Sequence, residues 1–427
     1  MEATTLPRRF GAPVKAAAPP KGRALPQERV ALVATAVGIA LLPLLVPAGP
    51  ANLAPVDALI AVTVFTCLVW ALASGQRLQF PYIVPLFLLL VGGALGAAIG
   101  PVPLTGVVAL VQDVWLIAWC WSVVNISRSA QNLKTLMATW AYSAMGWAVL
   151  LYVGLLTGSS ALTGQIEKQG SRVQLTLEDP SYAANYFFIS IMIIWATARP
   201  RNRAMRLVAY ALLVPAIALT GSNSGIVSLI VGVAVAAAVG VYRRFGLAHM
   251  TAVVAVMLLG GGLVAANISL SDIQDRAHAS RYAFLRDGIG RGTSVEQRGN
   301  LLAESIDLYR SGSPFGEGPV STKTRLLNAG APFPKEAHDD YLAALLERGA
   351  IGFVGVLLLV AGLGLRSLAV VRGRLAGGFA AVVARPNALL GAVLGTMAAG
   401  TVYELFHVRH VWALFGLVAA LYIWGRE

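Results

Sequence analysis

The chain has 427 residues, 57% of them hydrophobic and 12% charged, with a mean hydropathy of +0.70. Ordinary soluble domains carry roughly 25% charged residues, so this composition excludes intrinsic disorder and argues against a soluble globular fold. The formal net charge of +13 is no argument for a nucleic-acid partner, because most of the lysines and arginines flank apolar runs, where they set membrane topology.

Residues 1–29 are rich in Pro, Ala and basic residues and contain no apolar stretch, which predicts a disordered cytoplasmic tail and not a signal peptide. Apolar runs then begin near Val30, Val56, Tyr82, Val102, Leu136, Tyr182, Leu207, Gly225, His249, Ile351, Ala388 and Phe406. About 20 apolar residues cross about 30 Å of hydrocarbon, and lipid cannot satisfy open backbone groups, so the runs should be helices. The expected class is an all-α polytopic membrane protein with about twelve transmembrane helices and one large, partly helical external loop. Its expected domains are the tail, nine helices over 30–268 with an external loop near 158–181, a large external loop over 269–349, and three helices over 350–427. Cys67 and Cys120 both lie in apolar runs and can build neither a disulfide framework nor a thiolate metal site.

With the N-terminus inside, twenty basic residues fall on the cytoplasmic side, against Lys168, Arg172 and Arg409 in the short external loops. That asymmetry places both termini in the cytoplasm. The large loop holds ten basic and eleven acidic residues, more than half of all the acids in the chain, and a connection this long is usually functional.

Asp113 lies in the middle of an apolar run, as a functional carboxylate or an interhelical partner. Arg172 is one of few external basics, and Asp179-Pro180 has the pattern of an N-cap followed by Pro at the first helical position. Thr220 to Gly225 form a tight polar turn. In the large loop, Ser294-Val-Glu-Gln has capping-box spacing and opens a helix ending at Ser311-Gly312. Arg298 sits in its first turn, where the macrodipole disfavours a cation, so it reads either as an anion ligand or as a solvated arginine paired with a nearby acid. The turn Ser313-Pro-Phe-Gly-Glu-Gly-Pro319 is either an anion-binding run of backbone amides or only a turn. Glu336-Ala-His338-Asp339-Asp340-Tyr341-Leu342 starts a further helix for which Gly349 is the expected stop. His338 then reads either as a general base at a helix N-terminus or as a surface histidine beside capping aspartates. Glu404, His407, Arg409 and His410 cluster at the last apolar run.

Taken together, Arg298 with its apolar helix, the 313–319 turn, Ala337-His338-Asp339-Asp340-Tyr341-Leu342, Glu347-Arg348-Gly349 and Asp179-Pro180-Ser181 resemble the O-antigen ligase and polymerase superfamily of bacterial envelope glycosyltransferases. The family has an arginine-led helix, a Pro-Leu-x-Gly-x-Gly-like turn, a His-Asn-x-x-Leu-like motif, and an Asp-Pro-Asn start to a central span. Three places depart from it: no aromatic follows Arg298, Asp339 stands where Asn is common, and Asn223 stands at the arginine of the family's Ser-Arg-Gly turn. The resemblance implies an inverting, metal-independent transfer of a glycan from a polyprenyl diphosphate carrier to an acceptor hydroxyl, at the external face of a bacterial inner membrane and without a cofactor. In those terms His338 is the catalytic base, Arg172, Arg298, Arg286 and Arg291 hold the leaving diphosphate, and Asp179, Asn223, Asp339 and Tyr341 support them. The implied partners are the lipid-linked oligosaccharide donor, a glycan or glycolipid acceptor, membrane lipid and a chain-length regulator, with no nucleic acid. Asn223 favours a repeat-unit polymerase over a ligase to lipid A core. A transporter or flippase of lipid-linked sugars is the alternative of another class, and the scarcity of charges in the apolar runs beyond Asp57 and Asp113 speaks against it.

Overall fold

The computed structural model describes residues 25–46, 53–166, 170–267, 275–281, 285–286, 293–331 and 336–426, with the backbone alone for 260–267 and 293–298. Among these residues the regular structure is helical, apart from one isolated antiparallel bridge between Leu375 and Arg426. Helices α1 (Pro26–Ala40), α2 (Pro55–Ser74), α3 (Ile83–Ile99), α4 (Pro103–Ile126) and α5 (Ala130–Thr157) are followed by a short α6 (Ser160–Thr163). Then come α7 (Pro180–Thr197), α8 (Arg203–Thr220), α9 (Asn223–Phe245) and α10 (Leu247–Asn267). The large loop contributes α11 (Thr293–Ser311) and α12 (Thr322–Asn328), and the chain closes with α13 (Asp340–Arg372), α14 (Gly377–Val382), α15 (Pro386–Ala399) and α16 (Arg409–Trp424).

Each of the twelve apolar runs contains a helix. By length and composition six of them, α2, α4, α5, α8, α9 and α13, are sufficient to cross a membrane, whereas α3, α15 and α16 are apolar but shorter. The ends follow local chemistry: Pro opens α2, α4, α7 and α15, where its missing N–H would go unpaired anyway. Asp179, Ser222 and Asp339 each accept a backbone N–H as N-caps. Helix α11 begins at Thr293, one residue before the serine expected to cap it, and ends at Ser311 as expected.

α7 and α16 are buried over nearly their whole length and form the centre of the bundle. The outer helices turn large apolar side chains outward, such as Leu72, Leu104 and Leu156, the surface that suits lipid and not water. α13 lies against α3 at a glycine-lined crossing: a Cβ on Gly96 would come 2.5 Å from the Glu347 carbonyl oxygen. Small residues of this kind allow helix backbones to approach closely.

The expected helix stop at Gly349 is a kink instead. Gly349 adopts φ 61° and ψ −168°, and α13 continues beyond it to Arg372. The carbonyls released by the kink are taken up by the 313–319 turn. Glu317 N donates to Leu346 O and Gly318 N to Glu347 O, both at 2.9 Å, and Ala350 N donates to Pro314 O at 2.9 Å. The turn's amides at 317 and 318 are thus spent on α13, which favours the second of its two readings, a turn alone.

Candidate functional site

The sequence places polar residues in three connections, at 170–182, 336–341 and 400–410, and the fold brings them to one end of the bundle. Asp179 caps α7, its carboxylate accepting Ser181 N–H at 2.6 Å. Asp339 caps α13, accepting the N–H groups of Tyr341 and Leu342 at 2.8 and 2.9 Å. His338 precedes that cap with φ 51°, a left-handed conformation uncommon for a residue with a side chain.

The connection between α15 and α16 closes over this segment. His338 N–H donates to Glu404 Oε1 at 3.0 Å, and the Tyr403 ring stacks on the His338 imidazole with centroids 5.1 Å apart and planes 21° from parallel. Asp340 N–H donates to Gly400 O at 2.8 Å. The Asp340 carboxylate accepts Leu405 and Phe406 N–H at 2.9 and 3.0 Å. The Tyr341 hydroxyl donates to Met397 O at 3.0 Å, so Tyr341 fastens α13 to α15. Alongside, the Tyr182 hydroxyl and His407 Nε2 are 2.6 Å apart, and the Tyr182 ring meets the rings of Tyr403 and His407 edge-on.

Burial decides the charges here. It holds the Glu404 carboxyl well above the usual range, with the nearby Glu347 and Asp340 adding to the effect. Burial likewise raises Glu178. The Tyr403 hydroxyl is raised by burial first, then by the negative field of the nearby Asp179. His407 is pushed down to about 4 by desolvation and by the positive charge of Arg409. A neutral His407 can accept the Tyr182 hydroxyl proton at Nε2.

Two ion pairs lie beneath the cluster. Arg409 grips Asp57 with Nε to Oδ1 at 3.0 Å and Nη2 to Oδ2 at 2.6 Å, and Arg348 Nη1 reaches Asp113 Oδ2 at 2.6 Å. Asp113 is therefore an interhelical partner, one of its two readings. Glu347 accepts Val320 N–H at 2.8 Å and the Thr322 hydroxyl at 2.8 Å, holding the start of α12. Each member of Glu347-Arg348-Gly349 has an architectural task.

The expected arginines divide. Arg172 Nε donates to Thr220 O at 2.8 Å, which brings it to the turn where Asn223 occupies the first position of α9 behind the Ser222 cap. Arg286 is exposed. The side chain of Arg298 and the whole of Arg291 and Lys168 lie outside the described residues. Tyr403 was not singled out by sequence reasoning; its signal is a Tyr-Glu pair in the short connection between two apolar helices.

A helical membrane protein with a histidine, carboxylates and tyrosines gathered at one end of its bundle is the class these observations define. Residues 208–357, about a third of the chain, match the family model described as O-Antigen ligase, and this likeness supports the resemblance to the O-antigen ligase and polymerase superfamily. The family is glycosyltransferase-like and acts in polysaccharide assembly on a lipid-linked glycan and an acceptor. The matched stretch runs from α8 into α13 and includes Asn223, Arg298 and His338, but not Arg172, Asp179 or Glu404. No curated protein sequence matches the chain.

Proposed function

We infer that the protein transfers a glycan from a polyprenyl diphosphate carrier to an acceptor hydroxyl at the external face of a bacterial inner membrane, and that it polymerises repeat units. In this reading the twelve apolar helices cross the membrane, both termini are cytoplasmic, and residues 269–349 are external. The observation that carries it is His338, inside the family-matched stretch and held in a left-handed conformation at the start of α13. Sparsely populated backbone conformations of this kind persist where the surroundings over-determine them, and they concentrate at active sites.

His338 accepts the proton of the acceptor hydroxyl as that oxygen attacks the anomeric carbon and the bond to the diphosphate breaks, inverting the centre. Diphosphate is a good leaving group, so the chemistry asks for positive charge more than for a metal. Arg172 is the first choice to supply it, beside the turn where Asn223 replaces the family's arginine. A guanidinium fork matches phosphate oxygens, and stabilising charge that develops in the transition state is commonly the largest catalytic contribution. Arg298, Arg286 and Arg291 complete the set in this proposal.

Glycolipid analysis of a deletion strain complemented with wild type or His338→Ala tests the reading. The expected result is a carrier or surface lipid bearing a single repeat unit in both the deletion and the His338→Ala strain, at normal protein level. Long polymer stranded on the carrier with bare acceptor would identify a ligase instead, and normal glycolipids in the His338→Ala strain would remove the histidine from the mechanism.

A further inference from the structure

The connection between α15 and α16 does more than cover the histidine. It holds the backbone of His338 through Glu404 and touches its ring through Tyr403, two adjacent residues acting on two parts of one side chain's frame. The same connection is tied to the next residue but one by three further hydrogen bonds, Asp340 N–H to Gly400 and the Leu405 and Phe406 amides to the Asp340 carboxylate. Tyr403 is itself packed edge-on against Tyr182 of α7, with ring centroids 5.6 Å apart. The Glu404 hydrogen bond is made to the backbone of His338 and the Tyr403 contact to the face of its ring.

We propose that Glu404 and Tyr403 are positioning residues for His338: the carboxyl group fixes the histidine's left-handed backbone, and the phenol ring, packed against Tyr182, fixes the plane of the imidazole. The base is then aimed before the acceptor arrives, which removes an orientation cost from the chemical step. The role rests on the reading of His338 as the base. Glu404 and Tyr403 touch no reacting atom in this arrangement, so they act on turnover and not on acceptor binding.

The test uses the full-length protein in lipid nanodiscs, with a polyprenyl-diphosphate-linked repeat unit as donor and acceptor. Glu404→Ala and Tyr403→Leu are expected to lower kcat about 10- to 100-fold while KM for the acceptor stays within about twofold. Glu404→Gln, which keeps an acceptor oxygen, should recover most of that loss, and so should Tyr403→Phe, which keeps the stacking ring. A second readout needs no turnover: the His338 ring resonances in histidine-labelled protein, assigned by their absence in His338→Gln, should shift in Glu404→Ala and Tyr403→Leu. If Glu404→Ala does not accumulate, the Tyr403 pair carries the same comparison. Unchanged kcat and unmoved ring resonances would overturn the positioning role, as would a loss seen in acceptor KM with kcat intact. Full activity in His338→Ala would instead defeat the reading of the base, and the ring resonances would still judge the positioning.

Discussion

His407 shows how a single side chain is set by what surrounds it. Its folded-state pKa of about 4, against 6.5 for an ordinary histidine, means that the folded protein keeps the ring neutral while the unfolded chain binds a proton. Stability from this residue is therefore present above pH 6.5 and is lost as pH falls from there through about 4. Protonation also ends the imidazole's ability to accept the Tyr182 hydroxyl. His407→Gln should flatten the acid limb of a plot of thermal midpoint against pH between 7 and 4.5, in detergent, and an acid limb as steep as that of wild type would assign the pH dependence elsewhere. Glu404 works in the opposite direction: its raised pKa favours the protonated folded state, and its contribution fades as pH rises through the folded value. Of the residues here, His338 and Asp339 were legible from sequence because their signal is local, a histidine beside a capping carboxylate. The Glu404 contact was not, since its partner lies 66 positions away and only the return of the chain through α13 and α15 brings the two together.

At the scale of elements, α13 joins the candidate site to the membrane region, and the joint is Gly349. A Cβ there would come 2.3 Å from the Phe315 carbonyl carbon and 2.4 Å from Pro314 O, and φ is +61°. Gly349→Ala combines backbone strain with a collision against the 313–319 turn, and it should cost about 2–4 kcal/mol, seen as a lower thermal midpoint and reduced protein level. A midpoint within experimental error of wild type would mean that the turn yields. Helix existence was readable along most of the chain, because apolar length and the Pro, Gly and Asp punctuation decide it residue by residue. The course of α13 past Gly349 was not readable. A glycine after an apolar stripe is the ordinary sign of a helix end, and continuation depends on amides supplied by a turn some thirty residues earlier.

Across the whole molecule, two inward-facing ion pairs couple helices distant in sequence: Asp57 of α2 with Arg409 of α16, and Asp113 of α4 with Arg348 of α13. Removing one partner leaves a charge that its surroundings cannot solvate, typically at about 3–5 kcal/mol, whereas removing both is far milder. Arg348→Met should thus destabilise strongly and Asp113→Asn with Arg348→Met should recover most of the loss in thermal midpoint; a double variant as unstable as the single one would show that Arg348 stabilises by something other than this pair. The class of protein was plain from composition, and the scarcity of acids outside the large loop pointed to both aspartates. Their partners were hidden, because Arg348 read as part of a motif and Arg409 as an external basic.

The kink at Gly349 also bears on how such chains vary. The released carbonyls of Leu346 and Glu347 are met by Glu317 and Gly318, and the room for that meeting exists only while position 349 lacks a side chain. The turn and the glycine are two halves of one solution, so inheritance should treat them as a unit. A descendant that acquired a side chain at 349 would gain nothing by keeping the Pro-Phe-Gly-Glu-Gly run, and one that lost the run would have no reason to keep the glycine. Paired loss and paired retention, with few chains in between, is the pattern this joint imposes on related sequences.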